Sequence, residues 1–429
     1  MRLKKVMSIM LATVMAAAIT ACGSTGGAPE TGGTPETGGS AEADSDAGAG
    51  ADKIIVFQSK VEIIDQMEEL AQEYEAETGV EVEVWGTTGD DYMQQLKTKM
   101  ANNQGPTVFS LLPGSESETM ENYLEDLSGL SFIGSIAEGM ADTNSEGKVV
   151  GIPYTMEGFG MVYNKDLINA DDIRDYDSFV KMLEEQKANG VNGFGLSQES
   201  YFLIGHILNT PFALQEDPIG FIEKLNAGEV KMADTPEFQE FAKFYEAIRE
   251  YSYNPMEENY DKECGDLATG KTAAIHQGNW CYSMFADYDI DFELGVAALP
   301  LCGNDKLAVS VPAAWYVNSQ ASDAEKQAGK DFLEWLYTSE TGTKYLMDEF
   351  GFLPVVEGME SENLDPLSAQ VAKFAADGKT ISWPMNAWPT SIVDVYLVPV
   401  AQEFFTTDMD SAAFLERLDE AWAQANEEK

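Results

Sequence analysis

Basic residues are scarce in this chain: 26 Lys and Arg stand against 74 Asp and Glu, a formal net charge of −48 over 429 residues. Such a surface repels phosphate backbones and anionic bilayers, which sets nucleic acid and acidic membrane faces aside as partners. Arginine is rarest, with Arg174, Arg249 and Arg417 the only ones after Arg2. A bidentate clamp for phosphate or carboxylate groups is therefore poorly provided for. The four cysteines, Cys22, Cys264, Cys281 and Cys302, include no CxxC pair, so no zinc or redox motif follows. One disulfide among the last three and a set of buried free thiols both remain open. His206 and His276 are isolated and outside any HExxH spacing, so each reads as a structural or pocket-edge histidine. No metal and no cofactor is expected. Long apolar runs are missing too, apart from Val6 to Ala18, which is too short to span a bilayer permanently.

That run has a setting. Arg2, Lys4 and Lys5 precede it, and Ile19-Thr20-Ala21-Cys22 follows, the order of an export signal ending in small residues. The pattern resembles a bacterial lipoprotein signal over residues 1–21, which implies that mature Cys22 carries lipid and serves as an anchor. An ordinary secretory peptide with an incidental Cys22 is the alternative. Residues 22–52 are almost entirely Gly, Ser, Thr, Pro, Ala and acids, with Ala28-Pro29-Glu30-Thr31-Gly32-Gly33 nearly repeated at Thr34-Pro35-Glu36-Thr37-Gly38-Gly39. Nothing in this stretch can fill a core. As a flexible tether it reaches on the order of 30 Å.

From Lys53 onward the chain is long enough for one large or two medium domains. Ile54-Ile55-Val56-Phe57 predicts a strand buried on both faces. Ile64, Met67, Leu70, Ala71 and Tyr74 predict an amphipathic helix ended by Gly79. Val80, Val82 and Val84 then alternate with glutamates as a second strand, completing a βαβ unit. Tyr92 to Met100 predicts the next helix, and Thr107 to Ser110 a third strand. Ligands of open α/β sheets sit beyond the carboxyl ends of the strands, which points to the loops Gln58–Val61, Trp85–Asp91 and Leu111–Ser115. Lys60 and Asp91 are their candidate polar contacts. Further strands are expected at Val149–Ile152, Gly160–Tyr163, Ala273–His276, Phe292–Val296 and Ser310–Val317. Helices are expected over Asp177–Asn189, Gln198–Asn209, Pro218–Asn226, Thr235–Tyr251 and around Phe332 and Phe414. This alternation predicts an α/β protein of two lobes joined by several crossings.

Three groups of residues together resemble the extracellular solute-binding proteins of ABC importers, in the carbohydrate-binding group that includes maltose-binding protein. They are Gly147-Lys148-Val149-Val150-Gly151-Ile152-Pro153-Tyr154 with Glu157 and Tyr163-Asn164-Lys165, Gly270-Lys271-Thr272-Ala273-Ala274 with Gly278-Asn279-Trp280, and Ala328–Tyr337 with Gly351-Phe352-Leu353-Pro354. The similarity spans essentially residues 53–429. It implies a type II periplasmic-binding fold, with an N-terminal lobe of residues 53–157 plus 307–351, a C-terminal lobe of 158–306 plus 352–429, and a ligand cleft between them. Position by position, it implies that Glu157 is a pocket glutamate and that Gln198-Glu199-Ser200-Tyr201-Phe202 supplies a carboxylate and a ring. It makes Trp280 a stacking tryptophan and Trp388, with Trp383, a second. Leu111-Leu112-Pro113-Gly114-Ser115 departs from the maltose-binding pattern, which leaves the sugar's identity open.

The side-chain chemistry agrees. Sugar hydroxyls want paired acceptors, and sugar C–H faces want flat apolar surface. Glu157, Glu199, Asn279 and Asn386 supply the first; Tyr154, Tyr201, Trp280, Trp383 and Trp388 supply the second. The expected function is capture of a sugar or oligosaccharide and its delivery to a membrane permease, by a monomer anchored through lipid outside the membrane of a Gram-positive cell. A polyamine or peptide receptor is the alternative within transport. A surface glycosidase using Glu157 and Glu199 is the alternative from another class.

Overall fold

A computed structural model describes residues 51–427 except 88, 138, 362 and 363. The signal, Cys22 and the tether up to residue 50 lie outside the described residues.

Two sheets organise the chain. The first contains β1 (Lys53–Gln58), β2 (Glu81–Gly86), β3 (Val108–Leu111), β4 (Asp142–Thr143), β5 (Val149–Pro153) and β10 (Ala314–Val317) in the order β2-β1-β3-β10-β5-β4. β1 runs parallel to both β2 and β3, while β10 is antiparallel to β3 and β5. The helix Ile64–Thr78 makes the crossover from β1 to β2 and stops at Gly79, whose φ of 80° is the left-handed cap that glycine tolerates. Its buried stripe of Met67, Leu70, Ala71 and Tyr74 shares a core with Phe332, Leu333 and Leu336 of the helix Asp323–Thr338, and the Tyr74 and Phe332 rings are in direct contact, centroids 5.1 Å apart.

The second sheet contains β6 (Glu157–Asn164), β7 (Ala274–Gly278), β9 (Leu307–Ser310) and β11 (Thr380–Ile381) in the order β11-β9-β6-β7, with β8 (Leu294–Ala297) also paired to β6. Its helices carry the larger core, where Phe179, Phe194 and Phe244 stack together and Phe212, Phe238, Trp388 and Trp422 form another aromatic block.

The chain passes between the sheets at Tyr154–Met156 and Val311–Ala313, and again after Glu357, whose N–H still bonds the Ser135 carbonyl on the first side. β9 thus hydrogen-bonds within the second sheet, whereas Phe352, Val355 and Val356 pack in the core of the first. Thr155 pins the first crossing to the segment leading to the third: its hydroxyl accepts the Leu353 N–H at 2.8 Å. The expected strand Ser310–Val317 holds β10 and only the last residue of β9, which lies in the other sheet, with the crossing between them at Pro312, which has no N–H to give a ladder.

Candidate functional site

The loops at the carboxyl ends of β1 and β3 face the second sheet across a cleft. Tyr92 holds these ends in place, because its hydroxyl accepts the Ser110 N–H at 3.0 Å and lies 3.0 Å from the Phe57 carbonyl. One cavity of about 260 Å³ is lined from the first side by Ser59, Lys60, Glu62, Tyr92, Leu112 and Glu116. From the second side come Glu157, Tyr201, Phe202, His206, Trp280, Trp383 and Asp394. A second cavity of about 590 Å³ adjoins it through Lys60, Glu62, Glu157 and Trp280, and runs on past Asn279, Tyr282, Phe350 and Phe352.

Lys60 and Glu157 stand where the two cavities meet. Lys60 Nζ donates to Glu157 Oε1 at 2.6 Å, with only 13% and 6% of the two side chains exposed. The ammonium also lies 5.9 Å from the Phe352 ring centre. Burial works to lower the Lys60 pKa, but the charges of Glu157 and Glu62 outweigh it and hold it above its ordinary value. Burial raises the Glu157 carboxyl, against the pull of Lys60. The pair bridges the β1 loop to the first residue of β6, so it ties the two sides of the cleft together.

Trp280 follows β7 directly. Its ring rests on the bare backbone of Gly278, where a Cβ would lie 2.3 Å from Trp280 Cζ3 and 2.6 Å from the Gly158 carbonyl oxygen. Its indole N–H donates to Gln277 Oε1 at 2.8 Å, and the ring lies near-parallel to Phe202 with centroids 6.2 Å apart. A flat apolar face held this way is left partly exposed to the cleft.

Two π turns, Tyr201–Gly205 and Val393–Leu397, pack against each other on the second side. Such turns disrupt helical register and often mark functional sites. The first delivers Tyr201, Phe202 and His206 to the cavity, and the second delivers Asp394. Opposite them Glu116 accepts the Leu112 N–H at 2.8 Å. Burial pushes its pKa up to about 7, and the Asp394 charge adds to the rise. Near neutrality this carboxyl is partly protonated and can donate as well as accept.

Of the residues expected at the site, Lys60, Glu157, Tyr201, Trp280 and Trp383 meet at the first cavity, and Asn279 lines the second. Asn279 is committed to the fold, accepting the Gly158 N–H at 3.0 Å and donating to Ser368 Oγ at 3.1 Å. The others line neither of these two cavities. Asp91 is exposed on the helix Gly89–Ala101. Tyr154 is buried beneath the cleft, its ring 3.9 Å from that of Trp315. Glu199 accepts the Tyr260 N–H at 3.0 Å, satisfying the start of the helix Tyr260–Ala268. The Asn386 backbone abuts Gly114, whose Cβ would lie 2.6 Å from the Asn386 carbonyl oxygen. Trp388, 2% exposed, is clasped by Phe212 and Trp422 in the core. Glu62, Glu116 and Asp394 are functional candidates that the sequence does not single out, three acids among 74 with no motif, while His206, read as a structural or pocket-edge histidine, lines the first cavity. Among the described residues no group of three or more His, Cys, Asp or Glu is placed to hold a metal, and no helix is long and apolar enough to cross a membrane.

Residues 69–390 match the family model of the bacterial extracellular solute-binding proteins. The chain belongs to that family. Membership places this solute-binding protein outside the cytoplasm. Solved structures share its two-lobe fold. A chitin oligosaccharide binding protein is 20% identical, with a TM-score of 0.74 and coverage of 88% of this chain and 99% of the other. The solute-binding protein RafE in complex with raffinose is 18% identical, with a TM-score of 0.72 and coverage of 87% and 99%. A sugar transporter protein from Bacillus licheniformis in complex with stachyose is 17% identical, with a TM-score of 0.70 and coverage of 87% and 100%. No curated protein sequence matches the chain.

Proposed function

We propose that this solute-binding protein captures a sugar or oligosaccharide between its lobes and delivers it to the permease of an ABC importer. The observation that carries this reading is the composition of the first cavity: the partly exposed face of Trp280, with Tyr201, Trp383 and Glu157 on the same side, stands opposite hydrogen-bonding Lys60 and Glu116. Stacked rings match sugar C–H faces, and carboxyl and ammonium groups match hydroxyls. The structural relatives solved with raffinose and stachyose support the same class. Ligand bridging both walls favours the closed state by its differential affinity, closing the lobes by hinge bending as in periplasmic binding proteins. The hinge lies at the crossings Tyr154–Met156 and Val311–Ala313. The lobe boundaries expected from the sequence belong to the same proposal, as do a monomeric state, a lipid on Cys22 and anchoring on a Gram-positive cell.

Binding without turnover fits the placement of the carboxylates, since Glu199 is spent on capping a helix while Glu157 is paired with Lys60. A polyamine receptor is the second reading, favoured by the excess of Glu62, Glu116, Glu157 and Asp394 over the single Lys60 in the cavity wall. Titration calorimetry against neutral oligosaccharides and against spermidine separates the two. Heat from the saccharides alone supports the proposal; heat from spermidine alone overturns it.

A further inference from the structure

His206 is the hub of the cleft's aromatic wall. Its ring stacks on Phe159 with centroids 4.4 Å apart and an interplanar angle of 18°, and lies within 5.4 Å of Trp280, 5.7 Å of Tyr201 and 6.0 Å of Trp383. It lines the first cavity while 6% exposed. Its Nδ1 is fully buried without a hydrogen-bond partner. A phenylalanine would make the same stack with no orphaned nitrogen, and leaving a buried polar atom unpaired is costly. The pattern makes sense when the ring's other edge serves something in the cavity.

The neighbouring His276 shows the contrast. Its Nδ1 lies 3.0 Å from the Gly160 carbonyl oxygen inside the second sheet, so its proton sits on Nδ1, and its Nε2, also buried without a partner, is the bare lone pair; it is a structural histidine. His206 has no such carbonyl. An orphaned lone pair costs less than an orphaned N–H, so the neutral ring keeps its proton on Nε2, on the edge left to face the cavity. Burial, reinforced by His276, holds His206 well below the ordinary histidine range, and burial brings His276 to about 3. Both rings are therefore neutral near pH 7.

We propose that His206 is a ligand-contacting, specificity-determining residue of the cleft, donating a hydrogen bond from Nε2–H to an oxygen of a polyhydroxylated ligand lying against Trp280. This rests on the saccharide reading. The π turn Tyr201–Gly205 directly precedes His206 and shifts the helical register where the ring enters the aromatic wall.

The chain has only two histidines, so long-range ¹H–¹⁵N spectra of the labelled protein resolve both rings. His276 is expected as the Nδ1–H tautomer and His206 as the Nε2–H tautomer. Raffinose, stachyose and chitin oligosaccharides are then titrated by calorimetry into wild type, His206→Phe and His206→Gln, with thermal melts to verify folding. For whichever saccharide binds, His206→Phe is expected to weaken binding at least tenfold, His206→Gln to recover part of that loss, and the His206 Nε2 resonance to shift while His276 stays put. A folded His206→Phe binding within twofold of wild type overturns the proposal. So does a proton found on His206 Nδ1. If no saccharide binds wild type, the saccharide reading falls, and the tautomer alone decides whether His206 is a donor facing the cavity.

Discussion

Replacing Lys60 by Met tests how the cleft is held together. The change keeps the apolar stem and deletes the ammonium, leaving the Glu157 carboxylate, 6% exposed, without its cation at 2.6 Å. Stripping one partner from a buried pair costs about 3–5 kcal/mol, and the low end applies because Glu157 borders a cavity that water enters. A loss of about 3 kcal/mol in a body of this size lowers the melting temperature by about 4 °C, from the typical unfolding entropy per residue. Lys60→Met/Glu157→Gln is expected to recover most of that loss, since neither remaining group is charged. The pH dependence has a definite sign. With the cation gone the folded Glu157 pKa rises further above its ordinary 4.5, so the folded chain holds this proton more readily than the unfolded chain. The penalty is complete above the folded pKa and shrinks as pH falls toward 4.5. Urea unfolding of the wild type, both single variants and the double variant at pH 5.5 and 8 measures the coupling. A Lys60→Met variant within about 0.5 kcal/mol of wild type at pH 8 would mean that the pair is as weak as a solvated one.

Other consequences follow from the same contacts. Trp280→Ala removes the stacking face and is expected to weaken saccharide binding by about 1–3 kcal/mol, read by calorimetry, with a thermal melt to verify folding because the ring also packs against the core. Gly278→Ala places a Cβ 2.3 Å from the Trp280 ring; the indole must move, so affinity falls and Trp280 fluorescence changes although no ligand contact has been deleted. Glu263, 1% exposed, accepts from Gln277 Nε2 at 2.7 Å, and burial pushes its pKa up to about 8. The folded state therefore keeps this proton when the unfolded state has lost it. Stability contributed by the group declines as pH rises from about 4.5 to about 8, and Glu263→Gln is expected to flatten that part of the stability profile. An unchanged profile would place the carboxyl in water.

The parts legible in the sequence were those that local pattern dictates. Alternating valines and the 3.6-residue stripe from Met67 to Tyr74 mark β2 and its preceding helix, because each face meets one environment only. Trp280 was reached through the resemblance carried by Gly278-Asn279-Trp280, and the bare backbone of Gly278 seats its ring. Trp388 was not: Trp383 and Trp388 flank the same proline-broken turn, Pro384–Ala387, both are buried, and only tertiary packing decides that Trp383 borders the first cavity while Trp388 packs against Phe212 and Trp422. Gln198–Asn209 reads as one helix, yet it contains the π turn Tyr201–Gly205, and the shift in register brings His206 to the cavity. Glu199 was placed in the cleft by resemblance, while its geometry assigns it to the backbone of the next helix. Strand spacing could not foresee that Ser310–Val317 changes sheets, though Pro312 in its middle was a signal.

Calorimetric titration of the folded protein from residue 51 onward with raffinose, stachyose, chitin oligosaccharides and spermidine tests the saccharide reading most directly. Saturable binding of at least one saccharide, lost or strongly weakened in Trp280→Ala, is the expected result. Binding of spermidine with no response to any saccharide would contradict it.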